Sequence, residues 1–199
     1  MFDIICVTDR KSCREDFFTR LDKIAAAIPD RIILRDKESD IDDYTVFAEK
    51  SLKICREYGI PCSIHTHIST AEKLGIGEIH LPLSVLRSFS GNIKDRFRTV
   101  GVSVHSAEEA AEAENFGADY ITAGHIFTTN CKKGLPPRGI DFLKKVCKSV
   151  DIPVYAIGGI NPENISRIRN AGASGACIMS SFMNCNEPEL FIRQLKKGL

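Results

Sequence analysis

Thr99-Val100-Gly101-Val102-Ser103-Val104 is followed by Ser106-Ala107-Glu108-Glu109 and an Ala- and Glu-rich stretch that stops at Gly117, then by Asp119-Tyr120-Ile121-Thr122-Ala123. The first and last runs are β-branched and short, as strands are. The middle run opens on a capping box, in which the Ser106 hydroxyl and Glu109 satisfy N–H groups that a helix start leaves unpaired. Gly117 is the residue type that closes helices. Two strands joined by a helix pair in parallel, because parallel pairing needs a crossover of that length.

The unit recurs in both directions. Strand candidates are Phe2–Val7, Arg31–Leu34, Pro61–His65, Glu78–Leu81, Thr99–Val104, Asp119–Ala123, Pro153–Ile157 and Ala176–Met179. Helix candidates lie near 13–28, 41–58, 69–75, 83–88, 106–117, 139–149, 162–171 and 182–197. Tyr58-Gly59-Ile60-Pro61 and Val150-Asp151-Ile152-Pro153 read as helix-to-strand turns, and Asn161-Pro162 as an N-cap before a proline at the first helical position. Eight βα units predict one closed (β/α)8 TIM barrel over 1–199, a single domain with short loops. The rival, a doubly wound open sheet, lacks its Gly-x-Gly-x-x-Gly after the first strand.

Composition narrows the function classes. The 199 residues are 43% hydrophobic and 27% charged, and 27 Lys plus Arg against 26 Asp plus Glu leave a formal charge of +1. That is ordinary globular composition without a basic nucleic-acid footprint. No run approaches the roughly 20 apolar residues of a membrane span. Residues 1–7 lack the basic flank of a secretion signal. The expectation is a cytoplasmic protein whose eight Cys are thiols, with Cys6, Cys62 and Cys177 as small core residues. Self-association stays open.

In such barrels chemistry sits where the strands end. All five His fall there: His65, His67, His80, His105 and His125. Strand alternation would turn His65 and His67 to one face, with Cys62 or His80 as a third metal ligand. No carboxylate stands near them, so a structural role is preferred and no metal site is expected. Two later turns carry a clearer signal. Gly158-Gly159 follows the seventh strand and Ser180-Ser181 the eighth, where free N–H groups at helix starts attract a phosphate. Between the sixth strand and its helix runs a long loop, Gly124 to Gly139, with His125 at its root, Thr129 and Asn130 in the middle, then Lys132, Lys133 and Arg138. A long loop of that content suits a lid over a phosphorylated ligand. Arg35 and Lys37, after the second strand, offer a fork and a point charge to an anion.

These pieces resemble the thiamine phosphate synthase/TenI family over essentially the whole chain. The resemblance rests on Ile5-Cys6-Val7-Thr8-Asp9, Leu34-Arg35-Asp36-Lys37, Ile79-His80-Leu81, Gly101-Val102-Ser103-Val104-His105-Ser106, Gly117-Ala118-Asp119-Tyr120, Gly124 to Gly139, Ala156-Ile157-Gly158-Gly159-Ile160 and Met179-Ser180. It implies a TIM barrel and a thiazole phosphate ligand. Synthases of the family couple a pyrimidine pyrophosphate to a thiazole phosphate with Mg²⁺. Their Asn-Asp-Arg after strand three is here His65-Thr66-His67, and their Gly-Gln-x-Asp after strand four is Pro82-Leu83-Ser84-Val85. The two metal-holding Asp positions are thus Thr66 and Val85. Mg²⁺ wants hard oxygen ligands, so the synthase reaction is disfavoured, and no cofactor is expected unless it operates.

The long loop points elsewhere. Synthases usually carry Gly-Pro where this chain has Gly124-His125, and the run Gly-His-Ile-Phe-Thr-Thr-Asn-Cys-Lys-Lys-Gly-Leu is similar to that of TenI-type thiazole tautomerases. The resemblance implies His125 as the acid/base, with Thr129, Lys132, Gly159 and Ser180 as ligand contacts. It also implies Arg35, Lys37 and Ser103 at positions that hold the pyrophosphate in synthases. A tautomerase is the leading expectation. A Mg²⁺-dependent synthase and a non-catalytic thiazole-phosphate-binding regulator are the alternatives.

Overall fold

Eight short parallel strands close on themselves in sequence order: β1 Asp3–Val7, β2 Arg31–Leu34, β3 Cys62–His65, β4 Glu78–Pro82, β5 Thr99–Val104, β6 Tyr120–Gly124, β7 Val154–Ile157 and β8 Gly175–Ile178. The barrel is seen in a computed structural model that describes residues 2–37, 39–132 and 134–199. β1 completes the ring by pairing with both β2 and β8. The predicted (β/α)8 architecture is the one observed.

Alternation along each strand decides where the core lies. Ile4, Cys6, Ile32, Leu34, Ile64, Ile79, Leu81, Val100, Val102, Ile121, Ala156 and Ala176 face outward and are essentially inaccessible. They pack beneath the helices, each apolar side chain so buried being worth roughly 1.5–3 kcal/mol. The lumen has its own small apolar group of Ile5, Val7, Ile33, Tyr120 and Cys177. It also takes polar residues: Arg31 pairs with Glu78, Tyr155 donates to Asp3 at 2.8 Å, and His80 is buried among hydroxyls.

The helices are α1 Phe17–Ala26, α2 Ile41–Glu57, α3 Ile68–Lys73, α4 Leu83–Ser88, α5 Ala107–Asn115, α6 Gly139–Ser149, α7 Ile165–Asn170, α8 Ser180–Asn184 and α9 Pro188–Lys197. Three expectations need correction. The predicted helix 182–197 is two helices, because the chain is extended at Cys185 and Glu187 and restarts with Pro188 in the first turn. The buried Arg20 guanidinium of α1 donates to the Cys185 carbonyl at 2.6 Å and pins that break. In the capping box Ser106 does accept from the Glu109 N–H, but Glu109 accepts from the His105 N–H, outside the helix. Asn161 caps a turn by accepting from the Glu163 and Asn164 N–H groups, and α7 proper begins only at Ile165.

All eight cysteines are free thiols, with Cys6, Cys62 and Cys177 buried as expected. Among the described residues, no helix is long and apolar enough to cross a membrane.

Two glycines should respond oppositely to a methyl group. At Gly175 a Cβ would meet the Asp3 carbonyl oxygen at 2.4 Å and the Tyr155 ring at 2.8 Å, whereas at Gly77 its nearest neighbour is 3.6 Å away. Gly175→Ala is expected to cost about 1–3 kcal/mol by overpacking, and Gly77→Ala to stay within about 0.5 kcal/mol. Urea unfolding of the two variants checks this, and equal midpoints would contradict the close β1–β8 packing.

Candidate active site

The strand ends converge on one rim. Thr8, just past β1, locks the end of β2: its hydroxyl accepts from the Arg35 N–H at 2.8 Å and donates to the Arg35 carbonyl at 2.9 Å. The Arg35 side chain then lies 3.3 Å from the Asp9 carboxylate and 3.7 Å from the Met179 sulfur, at the threshold of α8. Asp36 turns the other way, to Arg10 and Ser39. Lys37 comes back to Arg35, whose charge is the foremost cause of its lowered pKa, followed by burial and by Lys132. Three cations from two loops therefore crowd one region that Asp9 only partly offsets. Such a site favours an incoming anion.

Lys132 gets there because the loop after β6 is tied at its root. Ile126 and Phe127 donate to the Ile157 and Gly158 carbonyls at 2.9 and 3.0 Å. Arg138 and Gly139 return to donate to the carbonyls of His125 and Ile126 at 2.9 and 3.1 Å. His125 sits at this neck, half-buried, with Nε2 3.3 Å from the Leu135 carbonyl oxygen. A carbonyl only accepts, so this bond requires the proton on Nε2 and leaves the Nδ1 lone pair as the basic site. Thr129 spends its hydroxyl on a turn, accepting from the Cys131 N–H at 3.4 Å. Lys133, part of the predicted lid, lies outside the described residues.

Gly158 and Gly159 flank the neck, and the loop itself demands glycine there. A Cβ on Gly158 would stand 2.3 Å from the His125 Cβ, and one on Gly159 would stand 2.5 Å from the Thr128 carbonyl. Both have positive φ, 100° and 68°. Replacing either one therefore disturbs loop packing as well as any ligand. Ser180 and Ser181 begin α8, whose first N–H groups no side chain caps, and Met179 before them touches Arg35. The rim thus joins Arg35, Lys37, Lys132, His125, Gly158, Gly159 and the start of α8.

Ser103 sits deeper. Its hydroxyl is 2.8 Å from the His80 Nε2 and 3.1 Å from Thr122. His65 is also in the lumen, stacked 5.5 Å from His80, with Nδ1 2.7 Å from the Thr66 hydroxyl. His67 faces away and stacks on Tyr44 at 4.1 Å. The two imidazoles therefore do not share a face: the strand ends at His65, and Thr66 takes the left-handed conformation at φ 70°. Among the described residues, no three His, Cys, Asp or Glu side chains converge on a metal position. The donors also fail the fit to Mg²⁺. The Thr66 hydroxyl is held by His65, Val85 has no donor, and Asp9 is engaged by Arg35 and Ser12. A cleft of about 450 Å³ between α1 and α9 contains none of these residues.

Sequence reading missed the Thr8 clamp, the role of Asp9 and the lumen hydrogen bonds of His80. Alternating polar residues in β4 and β5 mark a polar lumen without telling which side chains meet, and Thr8 and Asp9 lie past β1 and carry no such signal.

Comparisons with known proteins find related sequences and the same barrel. A sequence profile described as thiamine monophosphate synthase matches residues 4–182. The chain is 32% identical to the thiamine-phosphate synthase of Syntrophomonas wolfei, over 98% of this chain and 95% of that one. It is 33% identical to the thiamine-phosphate synthase of Fusobacterium nucleatum, over 98% and 96% of the two chains. Among solved structures, thiamine phosphate pyrophosphorylase from Pyrococcus furiosus superposes with a TM-score of 0.83 at 25% identity, covering 99% of this chain and 95% of that one.

The lumen histidines make a pH prediction. Burial, then Arg35, His67 and Lys37, pushes His65 down to about 3, and burial holds His80 well below the ordinary range. An unfolded His titrates near 6.5, so below that pH the unfolded chain binds more protons than the folded one. Stability should be full above about pH 7 and fall steadily as pH drops from about 6.5 toward 3. Urea midpoints between about pH 7.5 and 5 measure it. His65→Gln should shallow the slope, and a flat wild-type profile would mean that both rings ionise freely in the folded state.

Proposed function

The chain belongs to the thiamine monophosphate synthase family, and within that family we propose that it is a thiazole tautomerase acting on a 2-carboxythiazole phosphate. Membership makes it an enzyme of thiamine biosynthesis. The observation that carries the finer reading is the imidazole at the loop neck, where synthases of the resemblance place proline, combined with a rim that offers no fitting carboxylates for Mg²⁺ among the described residues.

The chemistry asks for a proton shuttle and an anion grip. The substrate carries a phosphate and a carboxylate, and an exocyclic double bond at C5. Nδ1 of His125 takes the C2 proton, the charge delocalises into the conjugated ring, and the imidazolium returns a proton to the exocyclic carbon. One base serves both carbons if they lie on one ring face. The ring becomes aromatic, which drives the step, so the protein has only to lower the barrier. General acid–base catalysis supplies about 10²–10⁴-fold, and a phosphate anchored by Gly159 and Ser180 adds positioning. Arg35, Lys37 and Lys132 would neutralise the second anionic end, and Thr129, Gly158 and Ser181 would line the phosphate side.

The relatives' names favour a second reading, a thiamine phosphate synthase. Thiamine-phosphate synthases of the family align at 32–33% identity along almost their whole length. The rim cations would also suit a pyrophosphate. Its difficulty is the leaving group, which would depart without carboxylate-held metal at Thr66 or Val85.

His125→Asn should lower turnover of the carboxythiazole phosphate at least about a hundredfold with its affinity nearly unchanged. A variant at wild-type rate would remove His125 from the reaction. Incubation with a pyrimidine pyrophosphate, a thiazole phosphate and Mg²⁺ separates the readings: thiamine phosphate as the product would establish the synthase.

A further inference from the structure

The barrel lumen holds a line of hydrogen bonds that neither core packing nor the rim chemistry explains. At its base Arg31 pairs with Glu78 and donates to the Ser63 hydroxyl at 3.0 Å. Above it the Tyr120 ring lies 5.6 Å from the Arg31 guanidinium carbon. The Tyr120 hydroxyl is 3.2 Å from the His80 Nδ1, and the His80 Nε2 is 2.8 Å from the Ser103 hydroxyl. Ser63, His80 and Tyr120 are buried, and Ser103 faces the lumen on the penultimate residue of β5.

Each member limits the next. The Tyr120 hydroxyl is buried and has Nδ1 of His80 within hydrogen-bond reach, so the Tyr120 proton goes to Nδ1. A neutral imidazole with Nδ1 accepting carries its proton on Nε2 and donates it to Ser103. Burial keeps this ring neutral. The Ser103 proton is left over. Thr122, 3.1 Å away, can hold it until a stronger acceptor arrives. Run in reverse, the chain would make Ser103 donate downward and present only lone pairs to the mouth, which repels an anion. Gly101 independently marks the line as built: a Cβ there would lie 2.1 Å from Tyr120 Cζ, 2.3 Å from its hydroxyl and 2.5 Å from the His80 Nδ1. Only glycine leaves room for the Tyr120–His80 bond.

We infer that Tyr120 and His80 form a one-way hydrogen-bond chain in the barrel lumen that fixes the Ser103 hydroxyl as a donor to an anionic oxygen of the substrate. The two are positioning residues acting through Ser103. The inference rests on the reading of Ser103 as a ligand contact, and it holds for either reaction, since carboxylate and pyrophosphate oxygens both only accept.

The test uses the ¹⁵N-labelled full chain without turnover. Ring-nitrogen NMR at neutral pH should find His80 as one fixed tautomer with the proton on Nε2. Tyr120→Phe should release that tautomer. Titration with inorganic pyrophosphate should then show binding about tenfold weaker in that variant, approaching the loss in Ser103→Ala. A proton found on Nδ1 in the wild-type protein would overturn the chain's direction. A fixed Nε2 tautomer in the wild-type protein with unchanged pyrophosphate affinity in Tyr120→Phe and Ser103→Ala would overturn the link to the anion. Neither result depends on tautomerase turnover, so an inactive enzyme with these signatures would count against the proposed reaction alone.

Discussion

Burial of the outward strand faces beneath the helices is the constraint on which the rest of the molecule depends. Ile4, Ile32, Ile64, Ile79, Val100, Ile121 and their neighbours remove the large apolar surface from water, and they do so outside the barrel. Most of the folding free energy is therefore gained there. The lumen is released from that duty. It can hold the Arg31–Glu78 pair and a buried imidazole, which a barrel relying on its interior for stability would not tolerate unless every polar atom found a partner.

The rim inherits its order from the same arrangement. Parallel closure brings the end of β2 beside β1, so that one Thr8 hydroxyl fixes the backbone from which Arg35 and Lys37 project. It also lets the β6 loop borrow hydrogen bonds from the turn after β7, which holds His125 against Gly158. Cations are crowded on one side of the mouth, and an imidazole held through Nε2 on the Leu135 carbonyl stands at the loop neck. Both are set by backbone pairing before any ligand arrives, which is the preorganisation that the proposed proton transfer would use.

How much of this was legible depended on range. Strand positions were readable because the outward residues are apolar and the turns carry Gly, Pro and Asn at the right places. The break between α8 and α9 was hidden because Phe182, Met183, Phe191 and Ile192 keep apolar residues at helical spacing across it. Only Pro188 betrayed it. The shared face expected for His65 and His67 failed because alternation holds only inside a strand, and β3 stops at His65. The lumen chain was invisible for a different reason. His80, Ser103 and Tyr120 come from three strands, and nothing in a linear pattern gives their heights until the register is known.

Charge accounting bears on which member of the family this rim resembles in chemistry. A departing pyrophosphate develops more negative charge than it had as a bound ester, and that increment must be met in the transition state. Here the cations near it are side chains: Arg35 is already drawn toward Asp9, and the charge of Arg35, with burial and Lys132, lowers the pKa of Lys37 beside it. Such a cluster is relieved by a ligand whose charge is present from the start and stays constant. A carboxythiazole phosphate meets that description, because its tautomerisation moves a proton between carbons and leaves both anionic ends as they were. Under the proposed tautomerisation, the absence of carboxylates at Thr66 and Val85 and the imidazole at the β6 neck belong to one design, in which binding handles fixed charge and a single base handles the only atom that moves.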